Sequence, residues 1–187
     1  MNDILALLGS RRSVPPHFLG GPGPSSDEIE RLLTIASRVP DHGKLAPWRF
    51  IVIAGEARLK IGEAIAEAFR ADEPEAGEER VATEQQRLAR APLVIAVVSR
   101  AKPHVKIPDS EQVLSAGAVC MSLVVAANAL GYATSWLTEW YAFDRRILDR
   151  LGLAPDEAIA GFIHIGAPMQ QPVDRPRPAL ADIVTYL

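Results

Sequence analysis

Between Val113 and Thr138 the chain carries no charged residue, and an apolar run of that length either crosses a membrane or is covered by protein. Ser115, Gly117, Ser122, Asn128, Gly131, Thr134 and Ser135 interrupt the run, and Gly131 divides it into a helix and a short strand. A buried core helix from about Glu111 to Leu130 is therefore expected rather than a membrane span. Ala116, Cys120, Leu123, Ala127 and Leu130 alternate at spacings of four and three along it, while Val119, Met121, Val124 and Val125 fill its other faces. A helix apolar nearly all round needs cover on every side. In a chain of 187 residues, part of that cover is expected from a second subunit.

The balance of 20 basic and 23 acidic side chains, with 48% apolar and 23% charged residues, is that of an ordinary globular chain and excludes a polybasic nucleic-acid arm. One domain over residues 1–187 is the default at this length. The single cysteine, Cys120, has no partner for an internal disulfide, and no Cys/His spacing provides a zinc site. Met1 to Ser10 has neither the basic start nor the small-residue cleavage pattern of a signal peptide. A reducing cytoplasm is the expected location, with no nucleic acid and no membrane as partner.

Ile4 to Leu8 repeat at helical spacing and lead into Arg11-Arg12-Ser13, after which Pro15 and Pro16 forbid further helix. Gly20 to Pro24 reads as a loop, and Ser25 with Glu28 has capping-box spacing for a helix burying Ile29, Leu32, Leu33 and Ala36. That helix ends at Arg38-Val39-Pro40-Asp41-His42-Gly43. Arg49 to Ala54 is expected as a buried strand, and Ala57 to Arg70 as an amphipathic helix. The acidic run from Asp72 to Glu79 reads as an exposed, mobile excursion. Helix is expected from Arg80 to Ala91, and Leu93 to Ser99 has the β-branched density of a central strand. After Gly131, strands are expected at Ala133–Leu137 and Ala158–Ile165, with a short helix from Asp144 to Leu151 between them. The tail from Gln170 is polar and proline-rich. Few strands around one long helix favour α+β over a doubly wound sheet.

The chain lacks GxGxxG, GxxxxGK[ST], GxSxG and HExxH, so the usual dinucleotide cradle, phosphate loop and hydrolase elbow are missing. His17, His42, His104 and His164 form no i,i+4 ligand pair, which argues against a metal hydrolase. What remains is arginine. Arg11 and Arg12 with the Ser13 hydroxyl offer guanidinium forks and a short donor at a chain reversal, a set suited to phosphate. A second cluster, Arg38 with His42, lies on a Pro/Gly-shaped loop, and a third, Arg175 with Arg177, is stiffened by alternating prolines.

Arg11-Arg12-Ser13, the PDHxxxxPW element from Pro40 to Trp48, the helix end Ala129-Leu130-Gly131-Tyr132 and the Arg-Pro-Arg-Pro tail together resemble the FMN-dependent nitroreductase family, and within it the small NAD(P)H nitroreductases of the YdjA type. The likeness runs from about residue 4 to the C-terminus. It implies a three-layer α/β/α sandwich with a mostly antiparallel central sheet and a long buried dimer-interface helix. It further implies a homodimer with FMN at the subunit interface. The family pattern puts Arg11, Arg12 and Ser13 on the FMN phosphate and ribityl end, Arg38 and His42 on flavin contacts made across the interface, and Trp136, Leu137 and Thr138 beside the cofactor. Arg177, with Arg175 beside it, takes the place of the family's C-terminal phosphate ligands. Leu137 and Thr138 depart from the basic and small residues that relatives of this type carry, so the polarity beside the flavin differs.

The resemblance implies hydride transfer from NAD(P)H to flavin N5 and on to nitroaromatic, quinone-like or other small electrophilic acceptors in a ping-pong scheme, with no catalytic side chain and no metal. Plainer readings stand beside it. His42 could cap a helix, Trp48 and Trp136 could be core packing, and the loop holding His104 and Lys106 could be plain surface or face the substrate side of the flavin. Cys120 reads as a small buried hydrophobe. Two other functions stay open: a same-fold flavin-processing, dehalogenase or dehydrogenase enzyme, and a flavin-free dimeric protein whose arginines grip another phosphorylated ligand.

Overall fold

Leu93–Ser99 (β3) is buried along its whole length, and the alternation of its side chains forces a helical layer onto each face of the sheet. A computed structural model describes residues 3–187, apart from the side chain of Asp3; Met1 and Asn2, the start of the N-terminal apolar segment, lie outside the described residues. β3 pairs antiparallel with Trp48–Ala54 (β2) on one side and Ala158–Pro168 (β5) on the other. β5 also pairs antiparallel with Ala133–Leu137 (β4) and with the two-residue Leu19–Gly20 (β1). A single bridge between Ser13 and Thr134 runs parallel among the described residues.

Leu93, Ile95 and Val97 of β3 join Ile163 and Ile165 of β5 against Ser26–Ala36 (α2) and Asp109–Ala129 (α5). Val94, Ala96 and Val98 join Phe162 against Glu56–Asp72 (α3) and Arg145–Arg150 (α6). The result is the α+β, three-layer α/β/α sandwich with an antiparallel sheet that the resemblance implies. Asp3–Ser10 (α1) packs beside α5. The Ser25–Glu28 capping box is formed in both directions at the start of α2.

Several boundaries differ from expectation. β2 is an edge strand rather than a buried one, with Val52 41% exposed. Helix over Arg80–Ala91 is shortened to Glu78–Gln85 (α4), because the Gln85 carbonyl sits against Gly62 of α3, where a Cβ would stand 2.1 Å away. The residues beyond turn instead, burying Leu88 and aiming Arg87 and Arg90 at Glu139. The acidic excursion shrinks to residues 73–77: Asp72 closes α3 and pairs with Arg146, and Glu78 and Glu79 open α4. β5 continues past Ile165 to Pro168 where β1 captures it, and the tail holds one helical turn, Leu180–Ile183 (α7).

α5 is long and apolar enough to cross a membrane, yet half of that span is buried against the rest of the chain. Its inward face holds Ala116, Val119, Cys120, Leu123, Val124 and Ala127. Burial pushes the Cys120 thiol up to about 12, so it stays protonated. The opposite face is open, with Val113 at 52% and Leu114 at 72% exposure. One chain therefore covers this helix on one side only.

His164 sits on β5 facing the α3 layer, fully buried, with Nε2 3.4 Å from the Arg87 carbonyl oxygen and Nδ1 without a partner among the described residues. Burial first, and the Arg90 charge second, depress its pKa to about 4 from 6.5. The neutral ring is the folded form, so the unfolded chain binds the extra proton between those values. Stability is expected to be full above pH 6.5 and to fall by up to about 3 kcal/mol as pH approaches 4. Urea unfolding across that range checks this, with His164→Gln expected to flatten the slope; an unchanged slope in the variant would assign it to other groups.

Candidate functional site

α1 ends at Ser10 and the prolines at positions 15 and 16 turn the chain inward, which lays Ser13 and Val14 along the start of β4. Val14 N–H donates to the Thr134 carbonyl at 3.0 Å. At this reversal Arg12 Nε donates to the Val173 carbonyl at 3.3 Å and stands 3.5 Å from the Asp174 carboxylate. Arg177 reaches the same carboxylate at 3.9 Å. The first and third arginine clusters are thus brought together from the two ends of the chain. Arg11 is half-buried and its guanidinium has no partner among the described residues; Arg175 is exposed.

β4 carries this corner toward Trp136. Thr134 is buried and its hydroxyl accepts from Asn128 Nδ2 at 3.1 Å. Two residues on, and so on the same face, Trp136 is 40% exposed and donates from Nε1 to the Ala160 carbonyl at 3.2 Å. The indole lies across Gly161, where a Cβ would come within 2.1 Å of Nε1. It is a surface ring on a flat floor, not core packing. Leu137 is half-buried and Thr138 exposed beside it. Gly161→Ala is expected to displace the indole and to cost about 1–3 kcal/mol, the usual cost of overpacking, as read by urea unfolding; an unshifted midpoint would contradict this packing.

The second cluster lies elsewhere. Arg38 is exposed just past the C-terminus of α2, and its guanidinium has no partner among the described residues. The loop after it is tied to α5 through Ser115, whose hydroxyl donates to the Pro40 carbonyl at 2.8 Å and accepts from Trp48 Nε1 at 3.2 Å. Trp48 is therefore a packing residue, as its plainer reading holds. Asp41 accepts from the Ala46 N–H at 2.7 Å, closing a loop in which Gly43, Lys44 and Ala46 all have positive φ. Two non-glycine residues in that region store strain, a feature that gathers at functional sites. His42 caps no helix: its Nδ1 is 2.7 Å from a Glu111 carboxylate oxygen, a pair half open to solvent. Pro40, His42, Glu111, Leu114 and Ala118 line a cleft of about 610 Å³.

The two groups occupy opposite ends of α5. Ser13 connects through Thr134 to Asn128, whereas His42 meets Glu111; at 1.5 Å per residue these positions lie about 25 Å apart along the helix. Between them runs an apolar cleft of about 670 Å³, lined by Leu7, Ile35, Met121, Val125, Ala129 and Leu130. A single protomer does not gather all the sequence-identified residues into one pocket. Among the described residues no group of three or more His, Cys, Asp or Glu is placed to hold a metal ion.

Three residues escaped the sequence reading. Asp174 and Glu111 are carboxylates with no motif around them, recruited by folding. Gly161 did leave a signal, since a glycine inside a strand marks a close approach.

The sequence matches the nitroreductase family over residues 8–167. A Haemophilus influenzae protein named "Putative NAD(P)H nitroreductase" is 33% identical, the alignment covering 99% of this chain and 100% of that one. The Escherichia coli protein named "Putative NAD(P)H nitroreductase YdjA" is 33% identical over 89% of this chain and 88% of its own. A solved structure from Desulfovibrio desulfuricans, described as "a putative nitroreductase in complex with fmn", superimposes with a TM-score of 0.76 at 21% identity, covering 100% of this chain and 98% of that one. With an open helix face, paired arginine clusters and these relatives, the chain belongs to the nitroreductase family.

Proposed function

We propose that the protein is a homodimeric, single-domain cytoplasmic enzyme that binds one FMN at each of two subunit-interface sites and reduces nitroaromatic, quinone-like or other small electrophilic acceptors in a ping-pong cycle. The enzyme class, an NAD(P)H-dependent oxidoreductase with FMN as cofactor, follows from family membership. The observation that carries the residue assignment is the convergence of Arg12 and Arg177 on one carboxylate. Two guanidinium groups meeting at one oxyanion, with Ser13 next to Arg12 in the chain, form a donor set that fits a phosphate monoester.

FMN held here would supply the two-electron redox chemistry, with NAD(P)H as the reductant. The chain's own residues bind and orient. Arg11, Arg12, Ser13 and Arg177 would hold the phosphate and ribityl end. Trp136, on its Gly161 floor, would offer the ring system a flat apolar surface, with Leu137 and Thr138 beside it in the chain. Arg38 and His42, too far along α5 to share a ligand with Arg12 of their own chain, would serve the partner's site. An antiparallel pairing of the open faces of two α5 helices would bring opposite helix ends together, as the separation of about 25 Å along the helix demands of a shared site.

A two-stage anaerobic titration tests the cycle. NADPH or NADH alone should bleach the protein's visible absorbance, and a nitroaromatic added after removal of the donor should restore it. Bleaching that occurs only when donor and acceptor are present together would contradict the ping-pong order.

A further inference from the structure

On the other side of the strained 42–46 loop lies a second, smaller cleft of about 180 Å³, lined by Ala46, Pro47, Arg100, Lys102, His104 and Gln112 together with Leu45. It neighbours the His42 cleft, since Gln112 follows Glu111 on α5 and Ala46 follows the His42–Lys44 turn. We infer that this cleft binds the 2′-phosphate of the nicotinamide donor, so that the enzyme prefers NADPH to NADH. The inference rests on the reading of the chain as an NAD(P)H oxidoreductase and adds the residues that choose the donor.

The cleft is built, and its donors all point to an anion. Buried Gln112 fixes the backbone at Lys102 from both sides: its amide donates to the Lys102 carbonyl at 2.8 Å and its carbonyl accepts from the Lys102 N–H at 3.2 Å. His104 Nδ1 accepts from the N–H groups of Lys106 at 3.2 Å and Ile107 at 3.1 Å. A ring nitrogen accepting twice carries no proton, so Nε2 is the donor in the neutral tautomer and is left for a ligand. Arg100 is seated by its own N–H, which donates to the Pro47 carbonyl at 2.8 Å. Its guanidinium is 3.5 Å from Glu157, a carboxylate already held by Arg49 through bonds of 2.8 and 2.7 Å. Lys102 has no side-chain partner and no carboxylate lines the cleft, among the described residues.

Size narrows the ligand. The cleft is smaller than the roughly 300–1,000 Å³ of a site enclosing a whole drug-sized molecule, so it takes a charged fragment of a ligand extending elsewhere. A dianionic phosphate monoester matches a lining that carries the donors of Arg100, Lys102 and His104, two of them cationic, better than the singly charged groups of a pyrophosphate. The neighbouring His42 cleft is where the rest of such a donor would lie.

Calorimetry on the protein as purified tests this, with adenosine 2′,5′-bisphosphate compared against 5′-AMP. The bisphosphate should bind about tenfold tighter or more, the increment of charge-assisted hydrogen bonds, and exposed Lys102, changed as Lys102→Glu, should bring the two within about twofold with flavin content unchanged. Equal binding by the wild type, a preference that survives Lys102→Glu, or inorganic phosphate binding as tightly as the bisphosphate would each overturn the assignment. Flavin content is read separately by absorbance: a protein without FMN overturns the proposed function, whereas the nucleotide difference still decides the cleft.

Discussion

Arg12→Ala is expected to yield a protein that folds but purifies pale, with FMN affinity weakened on the order of 100-fold. Arg12 is held by the tail carbonyl of Val173 and by Asp174, and its side chain is 17% exposed, whereas that of Asp174 is 77% exposed. The arginine is fixed in the protein and the carboxylate is displaceable, which is how a resident donor meets a visiting anion. Each charge-assisted bond to phosphate is worth about 1.5–3 kcal/mol, and a guanidinium fork makes two. A ligand that binds only the folded dimer also stabilises it by mass action, about 2.7 kcal/mol at a hundredfold excess over Kd. The variant should therefore melt earlier in the presence of FMN while matching the wild type in its absence. Arg12→Ala/Arg38→Ala should lose flavin altogether; a double variant with unchanged flavin content would remove both residues from the site.

The second large effect is expected on the open face of α5. Leu114→Glu/Met121→Glu places carboxylates at side chains that are 72% and 39% exposed in one chain, so the protomer should keep its fold. In a dimer closed over this face the same carboxylates are buried without partners, at several kcal/mol per ion. Dimer dissociation should strengthen by about a thousandfold or more, and flavin should be lost although neither residue belongs to the Arg12 corner. Analytical ultracentrifugation with absorbance detection reads both outcomes together. A variant that stays dimeric with full flavin would place the subunit interface elsewhere.

Local features were legible in the sequence because their causes are local. The Ser25–Glu28 box, the break at Pro15 and Pro16, and the β-branched run of β3 each act within a few residues. The α+β layering followed from them. The misplaced boundaries trace to partners distant in the chain: Gly62 ends α4 through Gln85, β1 prolongs β5, and the sheet edge leaves β2 half open. The site divides the same way. Arginine clustering is visible in sequence, but the meeting of Arg12 with Arg177 at Asp174 is a tertiary event. So is the pairing of His42 with Glu111. The separation of the two groups along α5 becomes measurable only once the helix is in place, and it is the ground on which a second subunit is proposed to complete the site.

The measurement that tests the central claim most directly is the visible absorption spectrum of freshly purified protein, followed by identification of the chromophore released on heating. The account predicts a flavin spectrum and FMN at about one per subunit, the occupancy of a dedicated cofactor site. A colourless protein that also takes up no added FMN would contradict it.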